Sequence, residues 1–162
     1  MSRNRIPVLI GDVKVAGSDT VLFTIGLGSC VAIVLYDTER RVGGLAHAML
    51  PDPSCARRPT PVGRFASTAV PELIALMQSA GATRSALRAR LAGGASMFEA
   101  LLTESGRRLG LRNVHAARTA LAEAGIPVDG EDVGGGHGRS VYLHIEDGRV
   151  VVSSVLHADV VL

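Results

Sequence analysis

With 162 residues and 47% apolar content the chain has the length of one domain and enough apolar material for a real core, while 17 Lys and Arg against 15 Asp and Glu leave a charge of +2, too small to mark a nucleic-acid binder. An aromatic content of 3% with no tryptophan removes the stacking platform of a single-strand binder. The basic start Met1-Ser2-Arg3-Asn4-Arg5 opens no signal-peptide apolar stretch and no apolar run of about 18 residues follows, so a cytoplasmic location is expected, with reduced thiols rather than a disulfide between Cys30 and Cys55.

In chain order, Val13 to Val15 and Thr20 to Thr24 are short β-prone segments around the turn-rich Ala16-Gly17-Ser18-Asp19. They lead into Gly26-Leu27-Gly28-Ser29-Cys30, a glycine-rich turn with a thiol at its mouth. Val31 to Tyr36 and Val42 to Leu50 read as buried strands separated by Asp37-Thr38-Glu39-Arg40-Arg41, which predicts a hairpin. If Thr38 and Glu39 are the two turn residues, Asp37 faces Arg40 and Cys30 faces His47 directly, on one sheet face with Cβ atoms about 4.5–5.5 Å apart. A one-residue slip would send the two side chains to opposite faces.

Pro51 to Pro61 carries four prolines, which argues against regular structure and predicts an exposed loop and candidate flap. A helix is expected over 65–79, with Ala69, Leu73, Leu76 and Met77 as its apolar stripe and Gly81 as its stop. Pro71 either stands in its first turn or kinks it. Leu87 to Ala92 reads as a strand ending at Gly93-Gly94, and Ser96 to Thr103 as a helical turn or loop across the site. Asn113 to Ala124 predicts a second helix, capped by Asn113, striped by Val114, Ala117, Leu121 and Ala124, and ended by Gly125 and Pro127. Val141, Leu143 and Ile145 alternate with Tyr142, His144 and Glu146 before Asp147-Gly148 turns the chain into Val150-Val151-Val152, the clearest hairpin signal present. The expected architecture is α+β: one domain over 1–162, of packed β-hairpins flanked by two main helices.

The residues that could carry chemistry are few. A thiol of ordinary pKa near 8.5 is only slightly ionised at neutral pH, so Cys30 needs a base beside it, and His47 is the candidate. Together they could split amide hydrolysis into acylation and deacylation. Gly26 and Gly28 allow tight turns next to the thiol, and the Cys30 N–H is a reasonable oxyanion donor, with no second donor assignable. The competing readings are a buried structural thiol and a core histidine. Cys55 reads as a bystander in the proline-rich loop, Arg57-Arg58 and Arg107-Arg108 as solvated pairs, and His115, His144 and His157 as surface or half-buried residues. Gly26-x-Gly28 lacks the third glycine and following helix of a dinucleotide site, and Ser29 lacks the flanking glycines of a nucleophile elbow. Gly134-Gly135-Gly136-His137-Gly138-Arg139 lacks the ending of a P-loop and reads as a tight turn, or as a lining of the pocket or of a receptor-docking surface. Two Cys and five His show no metal-ligand spacing, so no metal or cofactor is expected.

Thr24-Ile25-Gly26-Leu27-Gly28-Ser29-Cys30-Val31-Ala32 followed by Gly43-Gly44-Leu45-Ala46-His47-Ala48-Met49-Leu50-Pro51 resembles the signature of the chemoreceptor glutamine deamidases, the CheD family. The similarity continues through Gly93-Gly94-Ala95-Ser96-Met97-Phe98, Gly110-Leu111-Arg112-Asn113, Gly125-Ile126-Pro127 and Asp132 to Arg139, nearly the whole chain. The resemblance implies an α+β, cysteine-hydrolase-like fold and hydrolysis of selected glutamine side-chain amides on chemotaxis receptors, giving glutamate and ammonia through a thioester. It places the catalytic cysteine, histidine and threonine on Cys30, His47 and Thr24, and substrate-binding positions are expected at Gly28, Ser29 and Gly44. It also implies a CheC-type phosphatase as a partner. Two other readings stay open: a receptor- or phosphatase-binding module with weak or no catalysis, and a cysteine hydrolase of a different amide or ester.

Overall fold

A computed structural model describes residues 3–58, 60–97 and 104–162. Its strands are β1 (Asn4–Pro7), β2 (Val13–Ala16), β3 (Thr20–Leu27), β4 (Val31–Asp37), β5 (Val42–Ala48), β6 (Leu87–Gly93), β7 (Val128–Val133), β8 (Arg139–His144), β9 (Arg149–Ser153) and β10 (Val160–Val161), and its long helices α1 (Ala66–Ser79) and α2 (Glu104–Glu123). Among the described residues the strands form two five-stranded sheets, ordered β1-β3-β8-β9-β10 and β2-β5-β4-β6-β7. No helix among them is long and apolar enough to cross a membrane.

The layers follow from where the side chains of β4 go. Val31, Ile33 and Leu35 pack with Leu73 and Met77 of α1 and Leu121 of α2. Ala32, Val34 and Tyr36 pack on the other side with Leu22, Val141 and Leu143 of the opposing sheet. Burial on both faces explains why β4 reads as a continuous apolar run rather than an alternating one. The clean alternation of β8, buried at Arg139, Val141 and Leu143 and half-buried between, marks a sheet with only one covered face. The α+β architecture, with two main helices on packed sheets, is the one expected.

The β4–β5 hairpin differs from the expected one. Asp37 pairs with Val42 and Ala32 with His47, so the loop is four residues, Thr38 to Arg41, and the register is displaced by two. The reason is Asp37. Its fully buried carboxylate accepts the N–H groups of Glu39 and Arg40 through Oδ1 and of Thr83 through Oδ2, while Arg41 N–H bonds to its backbone oxygen. A turn wound around a carboxylate uses two more residues than a tight hairpin, and Arg41 takes a left-handed φ of 51° to close it. Because the side-chain period of a strand is two, the displacement preserves every face.

Other boundaries shift for equally local reasons. Helix α1 starts at Ala66, ahead of Pro71, because Leu50 and Pro51 carbonyls accept the N–H groups of Ala66 and Ser67. Pro71 is therefore an interior proline on the exposed side. The proline-rich segment contains a 3₁₀ turn, Pro53–Cys55, whose Asp52 side chain accepts Ser54 N–H, and Pro51 is buried against the helix start; Pro59 lies outside the described residues. Helix α2 begins at Glu104, nine positions before the expected cap, so Asn113 is a mid-helix residue and not a cap. The expected element over 96–103 lies outside the described residues beyond Met97.

Burial alone would raise the Asp37 pKa, but the N–H groups of Thr83, Arg40 and Glu39 hold it below the usual carboxylate range. A depressed folded-state pKa contributes stability above the unfolded value, lost as pH falls through the folded one. Asp37→Ala should therefore destabilise the protein by about 1–3 kcal/mol at neutral pH, the cost of orphaned buried donors, in urea titrations. That deficit should shrink progressively as the titrations are repeated at acidic pH.

Candidate active site

Thr24 and His47 meet in the layer between the sheets, and Cys30 stands on the same face without a hydrogen bond to either. His47 pairs with Ala32 across β4–β5, and Ala32, Leu45 and the half-buried Cys30 all pack into the same intersheet cluster. Cys30 thus shares the face of His47 as a diagonal neighbour, one step past the last ladder rung at Val31 and Ala48. Directly opposed they are not, and diagonal neighbours stand about 7–8 Å apart, within reach of a long side chain. Burial pushes the Cys30 thiol above its ordinary value, against the pull of its own backbone N–H.

The imidazole is held from the opposing sheet. Thr24 Oγ1 lies 2.6 Å from the Val8 carbonyl and 2.7 Å from His47 Nδ1, and both side chains are buried. A carbonyl can only accept, so the single hydroxyl proton goes to Val8. Oγ1 must then accept from Nδ1, which assigns the proton to Nδ1 and leaves Nε2 with its lone pair. Nε2 is buried and has no hydrogen-bond partner among the described residues, the Cys30 thiol included. Burial keeps the His47 pKa below its ordinary 6.5, although the Val8 carbonyl and Asp12 pull it up. The resting pair is therefore a neutral thiol and a neutral imidazole.

Backbone geometry exposes this corner. The β3–β8 register shifts between Thr24 and Leu27, a bulge in which Gly26 adopts φ 74° and Ile25 turns outward. The bulge opens a cleft of about 430 Å³ lined by Pro7, Val8, Leu9, Ile10, Phe23, Thr24, Ile25, Gly26 and His47. Gly26 also lines a second cavity, of about 610 Å³, formed with Met97, Gly136, His137 and Gly138. The glycine-rich segment 134–138 is thus a cavity wall. Buried Arg139 ties it down, donating to Gly134 O at 2.8 Å and pairing with Asp132 at 3.3 Å.

The expected substrate-binding positions divide. Gly28 and Ser29 are half-buried beside Cys30, and a Cβ at Gly28 would lie 3.3 Å from Met97 Sδ. Gly44 is not at the site. It faces α1 on the side of β5 opposite His47, where a Cβ would lie 2.6 Å from Leu73 Cδ1, so close helix–sheet packing explains its lack of a side chain. Gly93, with φ 105°, does the corresponding work beside the Cys30 backbone, because a Cβ there would collide with Cys30 O. Cys55 is a free thiol near Arg112, away from Thr24 and His47. His115 is exposed, His144 half-buried, and exposed His157 stacks on His137 at 4.1 Å between ring centroids. Among the described residues no group of His, Cys, Asp and Glu is placed to hold a metal ion.

Two residues at this corner carry roles that residue patterns did not reveal. Asn113 was read as a cap, and the signal that could have redirected that reading is a weak helix former inside the continuous run 110–124. Val8 contributes only a backbone oxygen, which no side-chain pattern can announce.

A family model described as CheD chemotactic sensory transduction matches residues 49–154. The chain is similar to the probable chemoreceptor glutamine deamidase CheD of Clostridium novyi (strain NT), 40% identical over 155 residues with 96% of each chain covered. It is 44% identical over 158 residues to the protein of the same description from Symbiobacterium thermophilum, again covering 96% of each. To the chemoreceptor glutamine deamidase CheD of Bacillus licheniformis it is 40% identical over 151 residues, covering 93% of this chain and 90% of that one.

The hydrogen-bond chain makes a direct spectroscopic prediction. In ¹⁵N-resolved NMR of the imidazoles, His47 should show a protonated Nδ1 and an unprotonated Nε2 at neutral pH and should titrate below 6.5. A dominant Nε2–H tautomer would contradict the assigned direction of the Thr24 bond.

Proposed function

This chain belongs to the CheD family, and from that premise we propose that its deamidase chemistry runs through Cys30 as nucleophile, His47 as general base and acid, and Thr24 as the group that orients the imidazole. The substrates are glutamine side chains of chemotaxis receptors, hydrolysed to glutamate and ammonia. The observation that carries the residue assignment is the Val8–Thr24–His47 chain, which leaves a basic lone pair on Nε2 on the face shared with Cys30.

Because thiol and imidazole are both neutral at rest, the proton moves when the amide arrives. Nε2 takes the Cys30 proton as sulfur bonds to the amide carbon, and the carbonyl electrons pass to the oxygen. The tetrahedral species collapses as Nε2–H protonates the nitrogen, releasing ammonia and leaving a glutamyl thioester. Water, giving its proton to Nε2, attacks the thioester; the second tetrahedral species expels sulfur, which regains the proton, and glutamate departs. The Cys30 N–H is the proposed oxyanion donor. Thr24 supplies a neutral acceptor to Nδ1 where many hydrolases place a carboxylate, so it fixes the ring without adding charge.

Exposed Leu9, Ile10 and Ile25 rim the cleft and offer apolar contact to a receptor helix carrying the target glutamine. A CheC-type phosphatase is the further partner that the family suggests. With a receptor cytoplasmic fragment, the purified protein should release ammonia and add about 1 Da per converted glutamine, and Cys30→Ala should abolish both. An active Cys30→Ala protein would refute the nucleophile. Binding of the fragment without ammonia release by the unmutated protein would favour a docking module, and thiol-dependent turnover of small amides or esters alone a different hydrolase.

The pH dependence has a definite sign. Protonating His47 removes the base, so kcat/KM should fall as pH drops through the folded-state value, and the acid limb should lie below 6.5.

A further inference from the structure

We infer that Asn113 is a positioning residue that aims the Cys30 N–H at the developing oxyanion, an inference that rests on Cys30 being the nucleophile. The β4–β5 ladder ends at Val31 and Ala48, so Cys30 and Met49 stand where the next rung would be. Asn113, fully buried in the middle of α2, fills that gap. Its amide nitrogen donates to Ser29 O at 2.8 Å and to Met49 O at 3.0 Å. Both partners are carbonyls, which only accept, so the nitrogen and not the oxygen must face them. One side chain therefore joins the loop entering Cys30 to the strand end two residues beyond His47.

The consequence for Cys30 comes from peptide geometry. In a planar trans peptide the carbonyl and the next N–H point in opposite directions. Pinning Ser29 O on Asn113 turns the Cys30 N–H away from α2. The neighbouring peptides are fixed in the same manner: Gly28 O accepts Ala95 N–H at 2.9 Å and Cys30 O accepts Gly94 N–H at 2.8 Å. Three consecutive carbonyls of the Cys30 loop are thus drawn onto the framework, and the middle one is held by a side chain that can be changed without altering the backbone. Asn113 Oδ1 is buried with no partner among the described residues, a cost that an apolar residue would avoid, which favours a role for the nitrogen beyond filling space.

The test compares Asn113→Ala and Asn113→Asp with the unmutated protein on a receptor fragment, with Cys30→Ala as the inactive control. An inactive unmutated protein, or an active control, would be a failure of the nucleophile assignment and not of the clamp alone. With that assignment standing, folded Asn113→Ala should lose on the order of 10–100-fold in kcat, less than outright removal of an oxyanion donor, with KM within about 2-fold. A buried carboxyl facing two carbonyls stays protonated more readily and then restores one donor. The activity of Asn113→Asp relative to unmutated protein should therefore rise as pH is lowered, a response that simple loss of packing would not produce. Turnover within about 2-fold of unmutated protein for the folded variants, a change in KM alone, or a pH-independent ratio would overturn the inference. Failure of both variants to fold, read by circular dichroism, would assign the amide to stability and overturn it equally.

Discussion

The sheet containing β4 and β5 is covered on both faces, by α1 and α2 on one side and by the other sheet on the opposite side, and the rest of the molecule follows from that constraint. A strand in such a layer can carry polar groups only where partners meet them. The two ends of the β4–β5 pair meet this requirement differently. At the hairpin end Asp37 is satisfied by three backbone N–H groups and becomes the core of a turn. At the open end His47 is satisfied on one nitrogen only. One end is structural and complete; the other retains an unused lone pair on the face that carries a thiol.

The same burial sets the electrostatics of that open end. Excluding water raises the thiol pKa and lowers that of the imidazole, so each favours its neutral form. A thiolate–imidazolium pair would have to offset both desolvation costs by its own attraction, because Thr24 adds a hydroxyl and no charge. The hydroxyl is nevertheless demanding, because its only proton is already committed to Val8. Orientation passes from the Val8 backbone oxygen just beyond β1, through a hydroxyl on β3 of one sheet, to an imidazole on β5 of the other. The site depends on how the two sheets are docked, and Asn113 adds a link from α2 to the same corner.

Much of this was legible in residue patterns. The apolar run of β4, the alternation around Val141 to Ile145, and the stripes at Leu73 with Met77 and Val114 with Leu121 each state a period that burial demands. What failed was anything set by a long-range partner. The hairpin loop was read two residues too short because a buried carboxylate that accepts from Thr83, 46 positions away, winds the turn. Helix α2 was read as starting at Asn113 because asparagine is a good cap, whereas its amide is spent on Ser29 and Met49. Gly44 resembled a site glycine, yet its missing side chain serves the approach of Leu73 and Met77.

The amino-acid order by itself determined the fold class and the sheet face that Cys30 and His47 share, because strand periodicity is a local property that survives a register displacement of two. Only the tertiary structure decided that Cys30 is diagonal to His47 instead of opposite it, which nitrogen carries the proton, and that an amide in the middle of a helix closes the gap beyond the last rung. Those facts depend on hydrogen bonds between residues 16, 23, 64 and 84 positions apart, and separations of that size leave no periodic trace in a chain.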